Sequence, residues 1–257
     1  MVTLSVINRK GGVGKTTTAV NLAVGLHKFH DKNVLLIDAD SQANASIHLG
    51  IRAKDAGESL VAVFKGTAGI KGIIKTAEGI DVAPAHLDFD GIEKEHSGKD
   101  DEQSLSILKT ALIDIEADYD IVIIDCPPAM GFLSKNALVA SDAVIIPITG
   151  EKLAAEGLGA MIKNIVVDIK PYNPNLAILG ILMTQMQKTV MCATMVDYIK
   201  RKLGGRFRVF DTHIRRNTLL AEASAVGKSI YGHKHCKGYQ DYMDFTFEIK
   251  KILEAKQ

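Results

Sequence analysis

The chain has 257 residues, enough for one large core and too few for two ordinary domains with linkers, so a single domain over 1–257 is expected. Its 47% hydrophobic and 24% charged residues, with a mean hydropathy of +0.10, exclude an intrinsically disordered polymer. The net charge of +1 points to no partner, but charge is unevenly spread: residues 81–118 hold eleven acids against three lysines, and residues 188–216 hold eight Lys/Arg against Asp197 and Asp211. No segment is an uninterrupted apolar span, and the first residues run into an apolar stretch without a basic leader, so a cytoplasmic protein is expected.

In chain order, short β-branched runs predict strands at 4–8, 34–38, 80–83, 121–125, 143–148 and 177–184. Amphipathic periodicity predicts helices at 15–30, 104–116, 133–140, 154–169, 190–203 and 239–254. The most polar stretch, 88–102, reads as a solvated surface loop or a helix start. Most of the strands lack in-out alternation, the pattern of strands covered by helices on both faces. The expected fold is therefore α/β, a three-layer sandwich around a mainly parallel sheet.

The sharpest motif is Lys10-Gly11-Gly12-Val13-Gly14-Lys15-Thr16, between a buried strand and a helix. Small glycines let backbone N–H groups curl around phosphate oxygens, and the helix N-terminus adds partial positive charge. In such a P-loop, Lys15 would reach the β and γ phosphates and the Thr16 hydroxyl would ligate Mg²⁺. The strict pattern has glycine where this chain has Arg9.

Asp38 and Asp40 end the second apolar run, and a two-residue period would put both on one face. Asp38 would help orient Mg²⁺ through its waters and Asp40 would position the attacking water; the competing reading is a pair of loop acids capping the next helix. Asp125, after Ile121-Val122-Ile123-Ile124 and before Cys126-Pro127-Pro128, has the form of a Walker B acid holding Mg²⁺ through water. Such oxygen donors suit an ion that keeps several waters.

Taken together, the motif from Lys10 to Thr16, the run Asp38-Ala39-Asp40-Ser41-Gln42-Ala43-Asn44 and Asp125-Cys126-Pro127-Pro128 resemble ParA/Soj partition ATPases, of the ParA/MinD class with a deviant Walker A motif. Asn136-Ala137-Leu138-Val139-Ala140-Ser141-Asp142, Glu156-Gly157-Leu158, Arg216-Asn217 and Glu222-Ala223 extend the resemblance along nearly the whole chain. It implies ATP and Mg²⁺ as ligands, with ATP contacts from Lys10, Gly11, Gly12, Val13, Gly14, Lys15, Thr16 and Thr17. It also implies an ATP-dependent homodimer in which Lys10 crosses to the partner's nucleotide and Gly12 allows the two loops to approach. Non-specific binding of double-stranded DNA, nucleoid association and a ParB-type partner that stimulates slow hydrolysis complete the implied cycle. For Thr184 and Arg216 the resemblance suggests adenine-side contacts, with structural roles at a strand end equally open.

The chain also departs from this pattern. Ser41 stands where the family usually has proline, Ala43 where it has glycine, Arg215 in place of the proline of Ile-Pro-Arg-Asn, and Leu219 where an arginine often binds DNA. A DNA surface must then come from Lys188, Lys200, Arg201, Lys202, Arg206, Arg208, Arg215 and Arg216, unless these are an ordinary solvated face.

Other readings compete. A MinD-like positioning ATPase acting on membrane or another protein cargo would use an amphipathic C-terminal helix, but residues 245–257 carry two glutamates and are expected to pack on the fold, making membrane binding the minority reading. A reductase needs cluster cysteines, and Cys126, Cys192 and Cys236 are widely separated. An amidoligase would need a further substrate or glutaminase region, for which 257 residues leave no room. His233, His235 and Cys236 lack a second cluster to complete a metal site, and Met183, Met186, Met191 and Met195 are expected to pack in the core.

Overall fold

In a computed structural model of the chain, residues 1–96, 98, 101–150, 158–159, 161–203 and 205–255 are described. Eight strands form one sheet: β1 (Val2–Val6), β2 (Val34–Asp38), β3 (Lys75–Ala77), β4 (Ile80–Ala83), β5 (Ile121–Asp125), β6 (Ala143–Thr149), β7 (Ala177–Met186) and β8 (Val209–Arg215). Their order is β3-β4-β2-β5-β1-β6-β7-β8, and every pairing is parallel except β3 with β4.

Strands β2, β5 and β6 are buried along their whole lengths because both faces are covered. Their alternate residues feed two separate apolar layers, as the two-residue period requires. Leu35, Ile37, Val122 and Ile124 enter one layer with Leu60, Phe89 and Leu138. Val34, Leu36, Ile121 and Ile123 enter the other with Val20, Leu26, Tyr242 and Phe245.

All six predicted strands are present, with β1 beginning two residues earlier and β7 running on to Met186. The short β3 and the edge strand β8 escaped the sequence reading, since β8 interleaves Asp211, His213 and Arg215 with buried Phe210 and Ile214. Of the helices, α1 (Lys15–His30) is as predicted, whereas α2 (Asn44–His48) and α3 (Leu60–Phe64) were not. The polar stretch contains α4 (Phe89–Glu95), which buries Phe89 and Ile92. The expected helix at 104–116 is broken into α5 (Glu102–Leu105) and α6 (Ile107–Ile113), and α7 (Phe132–Val139) follows. Of the helix expected at 154–169, residues 154–157 and 160 lie outside the described residues, and Ile165–Ile169 forms a π-helical turn. Then come α8 (Val190–Leu203), the unforeseen α9 (Thr218–Ala225) and α10 (Lys237–Glu254).

Helix α1 carries the loop of interest, and its far half is wedged against the C-terminal elements. Gly25 makes that approach possible: a Cβ there would overlap the Tyr231 hydroxyl and lie 2.5 Å from Thr246 Cγ2. Tyr231 cannot readily move, because it is buried and its hydroxyl donates to Asn21 O at 3.0 Å. The clash should outweigh the roughly 1 kcal/mol that alanine gains over glycine in a helix. Gly25→Ala is therefore expected to destabilise the protein by about 1–3 kcal/mol, measured by urea unfolding.

Candidate active site

The loop after β1 is held from both sides before it reaches α1. Asn8 Nδ2 donates to Pro147 O at 2.7 Å, and its Oδ1 accepts from Lys10 N at 3.0 Å. Gly12 and Gly14 have φ of +72° and +83°, left-handed values that favour glycine, and Gly14 is the N-cap of α1. Lys15 is buried at 8% exposure while Arg9 and Lys10 are exposed. From the end of β7, Thr184 Oγ1 lies 2.8 Å from Val13 O and 3.0 Å from Ile148 O, and Gln185 Nε2 donates to Gly12 O. Gln185 has φ +53° and was missed in the sequence, where nothing distinguishes it from an ordinary polar residue.

The carboxylates come from strand register. Asp38 on β2 pairs directly with Asp125 on β5, and both are completely buried. Neighbouring strands lie about 4.8 Å apart, so two acids share one small volume. Asp38 is compensated: Oδ2 accepts from Ser46 N and Ser46 Oγ, each at 2.7 Å, and Oδ1 accepts from Asp40 N at 3.3 Å. Burial nonetheless pushes its carboxyl up to about 6, against the lowering effect of the Ser46 donors. Asp125 rises well above the usual carboxylate range, from burial first and then from the charge of Asp38, with Thr16 and Lys15 acting in the opposite direction. Neither Asp125 oxygen has a hydrogen-bond partner among the described residues.

Asp40 differs from Asp38 in lying beyond the strand, although its charge still acts on both Asp38 and Asp125. Strand β2 ends at Asp38, so Asp40 stands in the following turn, half-buried, with Oδ1 accepting from Gln42 N at 3.0 Å. The turn ends at Ala43, the N-cap of α2, whose φ is +53°. A side chain in that left-handed region costs roughly 1 kcal/mol, which gives the Ala43 departure a physical meaning. The helix that follows returns Ser46 to Asp38, so α2 is fastened to the acid that precedes it.

Beside the loop lies a cavity of about 630 Å³ lined by Gly14, Thr17, Thr184, Arg216 and Tyr242, among others. Thr184 faces it with its hydroxyl engaged by backbone carbonyls, and Arg216 reaches it from the end of β8, where its N–H donates to Met186 O at 3.0 Å. Arg215 requires a correction: its guanidinium is not a free DNA contact but is turned onto the buried Asp241, with Nε 3.0 Å from both carboxylate oxygens.

Among the remaining basic residues, some flank opposite ends of the β7–β8 pair. Lys188 and Arg216 leave the sheet together beyond the Met186–Arg215 pair, whereas Arg208 precedes β8 at its other end. Seven residues of strand separate those ends by about 20 Å. Arg201 and Arg206 are exposed, Lys200 pairs with Asp211 at 3.7 Å, and the side chain of Lys202 lies outside the described residues, as do Glu156 and Gly157. The methionine expectation also needs revision, because Met183 and Met195 are buried but Met191 is 64% exposed. No group of three metal-ligating side chains occurs among the described residues, and Cys236 Sγ instead caps α10 by accepting from Tyr239 N at 3.3 Å.

The orphaned carboxylate of Asp125, beside Thr16 and Lys15, fits a hydrated divalent cation. Leaving such acceptors buried and unsatisfied costs about 1–3 kcal/mol. Asp125→Asn removes the charge that burial and Asp38 penalise and is expected to raise the unfolding free energy of the nucleotide-free protein by about 1–3 kcal/mol, measured by denaturant unfolding, while abolishing the further stabilisation gained from Mg-ATP.

Comparison with known proteins places these features. The AAA domain family model matches residues 1–178. The sporulation initiation inhibitor protein Soj of Bacillus subtilis is 37% identical over 250 residues, covering 96% of this chain and 97% of its own. The chromosome partitioning protein ParA of Caulobacter vibrioides (strain NA1000 / CB15N) is 37% identical over 254 residues, covering 96% and 92%. Among solved structures, cobyrinic acid a,c-diamide synthase from Mycobacterium smegmatis, with bound ATP analogue and magnesium, superposes with a TM-score of 0.87 at 29% identity, covering 100% of this chain and 97% of that one. That chain is of similar extent, so length alone does not separate amidoligases from this fold. Family model, full-length relatives and fold agree that the chain belongs to the ParA/Soj family of P-loop partition ATPases.

Proposed function

We propose that this ATPase is a DNA-segregation switch: Mg-ATP binding drives homodimerisation and non-specific DNA binding, and slow hydrolysis, stimulated by a ParB-type partner, resets it. Lys15 and the backbone from Gly11 to Thr17 would hold the phosphates, with Thr184 and Arg216 on the base side. Thr16, Asp38 and Asp125 would hold Mg²⁺, the acids through water, and the ion when bound neutralises phosphate charge. Asp40, in its turn between Asp38 and α2, would position the attacking water, and Lys10 is exposed where it could reach a second subunit.

One observation carries the coupling to DNA. Lys188 follows the end of β7, which pairs with the end of β8 at the wall of the nucleotide cavity, so occupancy of the cavity and the setting of this cation share one piece of backbone. A MinD-like membrane role finds no comparable support. No helix among the described residues is long and apolar enough to cross a membrane, and α10 buries Phe245, Ile249 and Ile252 against the fold. Nucleoid association follows from the same reading.

The test is binding to non-specific duplex DNA with ATP, with ADP and without nucleotide, at two salt concentrations, with Asp40→Ala to slow hydrolysis. Binding is expected with ATP alone and should weaken steeply with salt; Lys188→Glu should reduce the salt slope by about 1. ATP-dependent dimers indifferent to DNA would contradict the proposal.

A further inference from the structure

Strand β8 is the outer edge of the sheet, and its register with β7 shifts twice between Ile181–Val209, Met183–His213 and Met186–Arg215. A weakly laddered edge needs other partners for its backbone. Two carboxylates of α10 provide them. Glu248 accepts from Asp211 N at 2.8 Å and from Thr212 N at 2.9 Å, near the start of the strand. Asp241 accepts from Arg215 N at 2.8 Å and from the Arg215 guanidinium through both of its oxygens, at the strand's end. Seven residues apart, these acids lie two helical turns apart on one side of α10.

The second contact reaches the nucleotide cavity. Ile214, Arg215, Arg216 and Asn217 line it, and so does Tyr242, the residue after Asp241. The Tyr242 hydroxyl lies 3.2 Å from Thr18 Oγ1 in α1, the helix that begins at the phosphate loop. Helix α10 thus touches the phosphate side through Tyr242 and the far wall through Asp241.

We propose that Asp241 and Arg215 form a clip that positions the base-side wall of the cavity, residues 214–217, relative to the P-loop helix. The inference rests on reading that cavity as the nucleoside half of the ATP site. Backbone and side-chain donors of one residue converge on one carboxylate that is 5% exposed, which fixes the strand end as well as the guanidinium. Asp241 acts through Arg215 and is a positioning residue.

The test compares two ligands that share the phosphate loop but not the base wall, ATP and inorganic tripolyphosphate, both with Mg²⁺. Their affinities are measured by calorimetry for the unmodified protein, Asp241→Asn and Arg215→Met. Asp241→Asn is expected to weaken ATP about tenfold, the scale of one charge-assisted hydrogen bond, with tripolyphosphate unchanged. Arg215→Met, which keeps the backbone bond, is expected to show the same selectivity with a smaller loss, and it decides the matter if Asp241→Asn does not fold. Equal losses for both ligands, or none for either, overturn the clip. Failure of the unmodified protein to bind ATP while binding tripolyphosphate overturns the nucleoside reading of the cavity, and the clip with it.

Discussion

Two carboxylates held side by side in a dry sheet set the terms for this molecule. Because β2 and β5 are parallel and in register, Asp38 and Asp125 leave their strands at the same level, and Val6 of β1 pairs with Asp125 from the other side, just before the phosphate loop begins. A slip of one residue in either strand would separate the acids and turn their apolar neighbours to the wrong layers. The apolar strands therefore do more than fill the core, since their register assembles the site. The two acids are also treated unequally: Asp38 receives three hydrogen bonds, whereas Asp125 receives none among the described residues. Asp38 is thereby tied to the turn and helix that follow it, while the oxygens of Asp125 are left open to a ligand.

The phosphate loop is stiffened by contacts distant in sequence. Asn8 anchors its start to β6 through Pro147, and Thr184 and Gln185 take the carbonyls of Val13 and Gly12 from the end of β7. The same β7 end continues into Lys188 and pairs with the end of β8, so the loop's anchors, the cavity wall at residues 214–217 and Lys188 are joined through one strand end.

Much of this was legible in the sequence for simple reasons. Each strand bearing a site acid is a pure apolar run ending at the acid, and the glycine loop sits at a strand-helix junction, so neither requires knowledge of tertiary contacts. Other parts were not legible. Strand β8 mixes charges into an edge position, and only its partners reveal it. Ser46, Gln185 and Asp241 matter through contacts whose sequence separation ranges from a few residues to more than a hundred, and no local pattern marks them. Arg215 and Arg216 look equivalent as neighbours, yet one is committed to Asp241 and the other lines the cavity. Proximity in sequence likewise grouped Arg208 with Lys188, although Lys188 follows the end of β7 and Arg208 precedes the start of β8, which runs parallel to it.

The most direct measurement of the central claim is thermal unfolding of the intact protein with ATP in the presence of Mg²⁺ and with ATP in excess chelator. If the buried acid pair is completed by a nucleotide-bound cation, Mg-ATP raises the melting temperature well beyond metal-free ATP, since binding to the folded state alone stabilises it. Equal shifts with and without the metal would contradict the assignment of Asp38 and Asp125 as the cation's acids.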